Sequence, residues 1–270
     1  MSKLFSLKKA IQFYIKSDTP YQVHSPFVAE LTTEVFYSNR YYYAYDHIYN
    51  LRHHLEQDQT MVTVTDFGAG SKTGFKAQRR LNEISKNAGI PHRKGQVLFN
   101  LVRYFNVKKS LELGTNLGLG SLYLSLPSNT TQLTTIEGCP NLSTLANKHF
   151  QKYKRTNIEI INSEFTLALQ NLDDQYDLVY IDGNHNYEAT RQYFEEISNY
   201  ISSNAIVVFD DIFWSEGMYL AWKEIVDKLQ DITAVELFDF GIIFMNRKTT
   251  KKQYSIIPYA WKPWKIGLFQ

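Results

Sequence analysis

At 270 residues the chain can form one large domain with an appendage, and 44% hydrophobic against 21% charged residues is the balance of an ordinary globular protein. A net charge of +2 gives no strongly basic face for nucleic acid, and the single cysteine, Cys139, excludes an internal disulfide. No apolar run approaches the ~18 residues of a membrane helix and no secretory signal pattern is visible, so the expected location is the cytoplasm.

Residues Leu4 to Ile15 set Leu4, Leu7, Lys8, Ile11, Tyr14 and Ile15 at helical spacing, with lysines at 3, 8, 9 and 16 for the outer side. Docking of this helix onto the protein's own body is the expected arrangement, with a membrane surface or a partner as the alternative. After His24-Ser25-Pro26, Ser25 is placed to cap a helix from Pro26 through Phe27, Leu31 and Val35. Between Phe36 and Tyr49 lie Tyr37, Tyr41, Tyr42, Tyr43, Tyr45 and Tyr49, which read as packing between an N-terminal helical layer and the main domain, or as the wall of a substrate pocket. His53-His54 are adjacent on a helix and read as solvated. Met61 to Thr65 alternates like a strand, Asp66-Phe67-Gly68-Ala69-Gly70-Ser71-Lys72-Thr73 is a glycine turn without phosphate-loop spacing, and Gly74 to Asn87 reads as a polar helix. These features define an N-terminal helical region over residues 1–90.

From Pro91 the pattern becomes a regular α/β alternation, beginning with a helix through Lys94-Gly95-Gln96 to Val102. The run Lys109-Ser110-Leu111-Glu112-Leu113 is a short buried strand, followed by Gly114-Thr115-Asn116-Leu117-Gly118-Leu119-Gly120-Ser121 and a helix. Glycines here can bring a ligand close to the backbone, and the next helix offers unpaired N–H groups; ordinary turn geometry is the other reading. Gln132 to Ile136 is a second strand ending at Glu137, 23 residues after Gly114, near the offset at which an acidic side chain reaches ribose hydroxyls in nucleotide folds. Asn157 to Ile161 is a third strand, Tyr176 to Ile181 a fourth ending at Asp182-Gly183-Asn184-His185, and Ala205 to Phe209 a fifth ending at Asp210-Asp211. Three carboxylates at neighbouring strand ends call for a hard divalent cation such as Mg²⁺, or else serve as caps of the following helices. His185 is a candidate proton acceptor or a satisfied loop histidine. A hairpin of Ala234–Phe238 and Ile242–Met245 closes the sheet, and residues 247–270 form a basic, aromatic tail with Trp261 and Trp264 that suits an interfacial partner or a wrap over the N-terminal helices.

The spacing from Glu112 through Gly114, Gly118 and Gly120 resembles motif I of class I S-adenosylmethionine-dependent methyltransferases. The Gly95-Gln96 pair resembles the entry helix of catechol and caffeoyl-coenzyme A O-methyltransferases, and Asp182 with Asp210-Asp211 resembles the metal ligands of that group and of macrocin-type sugar O-methyltransferases. The resemblance spans roughly residues 91–246 and implies a Rossmann-like α/β fold, a seven-stranded mostly parallel sheet with an antiparallel last strand, beside the N-terminal helical layer. It implies S-adenosylmethionine contacts at Gln96, Glu112, Gly114, Thr115, Asn116, Gly118, Gly120, Ser121, Glu137, Gly138, Glu164, Phe165 and Asp182. It further implies Mg²⁺ or another divalent ion on Asp182, Asp210 and Asp211, with His185 and Asp182 catalytic. The adenine contacts depart from the family, since no Gly-Asp-Ala stands at Ser163-Glu164-Phe165. The expected function is metal-assisted O-methylation of a small hydroxylated acceptor, with catechol, sugar, lipid and peptide hydroxyls all open. The alternative is an inactive scaffold of the same fold that docks through its basic ends. Homodimer formation and peripheral membrane contact stay open, and no nucleic-acid partner is expected.

Overall fold

The computed structural model describes residues 3–66, 75–184, 186–238 and 240–262. The glycine turn from Phe67 to Thr73, His185 and the Trp264-Lys265 end of the tail lie outside the described residues. The N-terminal part comprises α1 (Lys3–Lys16), α2 (Pro26–Leu31), continued by a π turn to Phe36, and α3 (Ala44–Gln57). Ser25 caps α2 by accepting from the Val28 amide at 3.4 Å. An antiparallel hairpin, β1 (Met61–Asp66) with β2 (Phe75–Arg80), leads into α4 (Leu81–Ala88). The helix expected from Gly74 therefore begins only at Leu81. Residues 75–80 extend because each backbone pairs with β1, from Asp66 opposite Phe75 to Met61 opposite Arg80, and that partner outweighs a weak helical pattern.

The rest alternates as α5 (His92–Tyr104), β3 (Lys109–Leu113), α6 (Leu119–Ser125), β4 (Gln132–Ile136), α7 (Pro140–Lys152) and β5 (Ile158–Ile161). It continues through α8 (Phe165–Leu169), β6 (Tyr176–Ile181), α9 (Tyr187–Ile197), β7 (Ile201–Asp210) and α10 (Glu216–Lys228). Strands β8 (Thr233–Leu237), β9 (Phe240–Phe244) and β10 (Gln253–Ser255) complete the main sheet, whose order is β10-β8-β9-β7-β6-β3-β4-β5. Strands β3 to β7 run parallel and β9 runs antiparallel to both β7 and β8. The seven expected strands are all present, and the tail adds an eighth, β10, parallel to β8. A buried carboxylate secures it: Glu236 accepts from Gln253 at 2.6 Å, Ser255 at 2.8 Å and the Trp222 indole at 2.9 Å.

Side-chain alternation along the strands builds a core on each face. Leu178, Tyr180, Ile206, Val208 and Ile242 pack with helices α2 to α7, whereas Val179, Ile181, Val207, Phe209 and Ile243 pack with α1 and α8 to α10. The N-terminal residues are thus divided between two faces of one sheet. Tyr45 is fully buried against Phe99, with ring centroids 5.0 Å apart, the packing role expected of the tyrosine run, whereas Tyr41, Tyr43 and Tyr49 are exposed. Helix α1 differs from expectation. It docks through Phe13, which meets Phe213 and Phe238, and leaves Leu7, Ile11 and Ile15 58%, 52% and 67% exposed. The tail holds it in that orientation: Lys262 donates to the carbonyls of Ser17 at 2.7 Å and Ile15 at 3.3 Å, and Tyr14 donates to the Trp261 carbonyl at 2.9 Å.

Candidate active site

The sheet brings three strand ends together on one face. Glu112, Tyr180 and Val208 lie side by side in register on β3, β6 and β7, and the two-residue period carries the same face on to Asp182 and Asp210. After β3 the chain turns at Gly114, whose φ of 105° suits only glycine and where a Cβ would lie 2.0 Å from the Asp182 carbonyl oxygen. At Gly118 a Cβ would strike the Phe150 ring, and at Gly120 it would lie 2.5 Å from Glu112 Oε1. The glycines therefore answer first to the chain's own packing, not to the ligand clearance expected of them.

Glu112 is fully buried. The Ser121 hydroxyl donates to Oε2, as does the Thr135 hydroxyl at 2.6 Å, while Thr115 meets Thr135 at 2.6 Å. Ser121 thus braces Glu112 directly and Thr115 does so through Thr135. Oε1 has no hydrogen-bond partner, an unusual condition for a buried carboxylate. Burial pushes its pKa up to about 7, against the opposing effect of the Ser121 and Thr135 hydroxyls. The carboxylate lines a pocket with Gly89, Gly114, Asn116, Gly120 and Asp182.

Glu137, Gly138, Gln96, Glu164 and Phe165, also expected at the cofactor, are outside that pocket's lining. Glu137 accepts from the amides of Asn116 and Cys139, both at 2.8 Å. Gly138 lies between these anchored neighbours, and Gln96 follows Gly95 in the opening turn of α5. Glu164 precedes α8, and the Phe165 ring borders Gly183 and Tyr193, the latter at 5.5 Å between centroids.

The carboxylate cluster differs from the expected metal centre. Lys94 extends from α5 and donates to Asp210 Oδ1 at 2.5 Å and to Asp211 Oδ1 at 2.6 Å. Tyr180 reaches Asp210 Oδ2 at 2.8 Å and Asp182 Oδ2 at 3.2 Å. Asp211, at φ 50°, folds back so that its own amide also donates to Asp210, at 2.8 Å. Burial works against the Lys94 charge, but the two aspartates more than offset it and hold the ammonium above its ordinary range. Burial, then Asp210 and Asp211, push Asp182 well above the usual carboxylate range. Among the described residues no group of three or more His, Cys, Asp or Glu side chains is arranged to hold a metal ion. The set Asp182, Asp210 and Asp211 does not fit a divalent cation because an ammonium already stands between two of its members.

Lys94 and Tyr180 were missed in the sequence. The signal was present in both cases: Lys94 directly precedes the Gly95-Gln96 pair, and Tyr180 shares the strand face of Asp182 two residues on. Gly95 fixes the approach of α5, since a Cβ there would lie 2.1 Å from the Tyr123 ring.

Residues 111–212 match a sequence family described as a methyltransferase domain. This segment is a methyltransferase-like domain. No curated protein matches the chain in sequence. In fold the chain is similar to three solved structures: the O-methyltransferase TomG from Streptomyces achromogenes in complex with SAM (20% identity, TM-score 0.53, 58% of this chain and 81% of that one), an O-methyltransferase from Bacillus cereus in complex with SAH (17%, 0.52, 58% and 81%), and the SAH-bound methyltransferase PaMTH1 from Podospora anserina (18%, 0.52, 58% and 79%). The matched segment of the chain runs from Leu111, beside Glu112, to Ile212, just past Asp211, and so contains every carboxylate of the site.

Proposed function

We propose that this methyltransferase moves a methyl group from S-adenosylmethionine to a hydroxyl oxygen of a small acceptor. The observation that carries the reading is Glu112 Oε1, buried and unpartnered beside a glycine turn, one strand away from the Asp182, Asp210 and Asp211 cluster. When bound, S-adenosylmethionine supplies a sulfonium methyl; the acceptor oxygen forms the new carbon–oxygen bond as the carbon–sulfur bond breaks with its electron pair going to sulfur. The free Glu112 oxygen would accept from the cofactor's ammonium, Glu137 would receive the ribose hydroxyls, and Phe165 would border the adenine. Asp211, with its side chain 32% exposed, is a member of the cluster an acceptor can reach. It orients the hydroxyl, and alignment of that oxygen with the methyl carbon supplies much of the acceleration. The hydroxyl proton leaves to His185.

Calorimetric titration with S-adenosylhomocysteine, followed by methyl transfer to a panel of catechol, sugar, lipid and peptide hydroxyls, tests the reading. Saturable cofactor binding and at least one methylated oxygen support it. Absence of cofactor binding overturns it.

A further inference from the structure

The acidic cluster already holds a cation of its own. Lys94 Nζ lies 2.5 Å from Asp210 Oδ1 and 2.6 Å from Asp211 Oδ1, and the face of the Phe240 ring lies 5.4 Å away. Two carboxylates and an aromatic face are a closed set of partners for a positive charge. An ion bound by both aspartates would sit between them at roughly 2.0–2.6 Å from their oxygens, which is the position the ammonium fills. The lysine cannot readily be set aside: its side chain is only 11% exposed, and its neighbour Gly95 is seated against Tyr123 with no space for even one more carbon.

We infer that the Lys94 ammonium is the resident cation of the cluster, covalently supplied by α5, and that the site works without a divalent ion. This rests on the methyl-transfer reading for its chemistry but not for its geometry. Lys94 acts as a positioning residue: it holds Asp210 and Asp211 together, so that Asp211 presents one defined edge to the acceptor.

The test is a Mn²⁺ titration of the full chain, followed by electron paramagnetic resonance and by calorimetry. The wild-type chain shows no saturable Mn²⁺ binding up to about 1 mM, and its methyl transfer is unchanged by EDTA. Lys94→Ala lowers transfer by about tenfold or more and gains one Mn²⁺ site, which a further Asp210→Asn change removes. Stoichiometric Mn²⁺ binding by the wild type that Asp210→Asn abolishes overturns the inference, as does a folded Lys94→Ala chain that binds S-adenosylhomocysteine but no Mn²⁺. The wild-type titration needs no variant, so a misfolded Lys94→Ala does not block the decision. Failure to bind S-adenosylhomocysteine would sink the functional reading and leave the Mn²⁺ result standing.

Discussion

Replacing Glu112 by Gln separates the cost of burying this carboxylate from its use. In the unfolded chain the group ionises near 4.5, and burial in the folded protein delays this to about 7. Between those values the folded state holds a proton that the unfolded state has released, so stability falls as pH rises through that window. At 1.36 kcal/mol per tenfold change the full loss is about 3 kcal/mol, reached above pH 7. Gln keeps the shape, cannot ionise, and can still accept from Ser121 and Thr135. Urea unfolding without cofactor should therefore show Glu112→Gln gaining on the wild type by about 2–3 kcal/mol between pH 5 and pH 8. The same variant should bind S-adenosylhomocysteine about 10- to 100-fold more weakly, the value of a hydrogen bond to a charged group. A stability difference independent of pH would refute the burial argument. Unchanged cofactor affinity would refute the role of Oε1.

Other substitutions probe the neighbouring contacts. Tyr180→Phe strips Asp182 and Asp210 of a shared donor and should cost about 1–3 kcal/mol in urea unfolding, with cofactor affinity changing less than acceptor turnover. Gly95→Ala forces a methyl into the Tyr123 ring and should lower stability by about 2–3 kcal/mol, partly restored when Tyr123 is cut to Leu in the same chain. Glu236→Ala orphans the Trp222 indole and frees Gln253 and Ser255; a loss of about 3 kcal/mol is expected, with hydrogen exchange accelerating first at residues 253–256.

Strands β3 to β7 were legible because each is a short apolar run closed by an acidic or glycine turn, a pattern that depends on local sequence alone. Glu112, Asp182 and Asp210 fell on one side of the sheet as the two-residue period requires. What escaped the sequence depends on partners distant in the chain. Residues 75–80 become a strand only because β1 is there to pair with, and residues 253–255 only because Glu236 receives their side chains. The role of Lys94 is one of these, since nothing in its own helix shows that two aspartates wait 116 and 117 positions later. Helix α1 was read the wrong way round because Leu7, Ile11 and Ile15 form the stronger apolar stripe, yet the single ring of Phe13 docks on Phe213 and Phe238.

The link between Lys262 and the last turn of α1 makes the two extremities of the fold depend on one another. Cutting the chain after residue 247 would do more than shorten it. It would bare the outer edge of β8, a template for pairing with foreign strands, and would unfasten the helix that shields Phe213 and Phe238. Shortened versions made for crystallisation or assay should consequently clump before they lose the central sheet, and a label grafted at either extremity will be felt at the other.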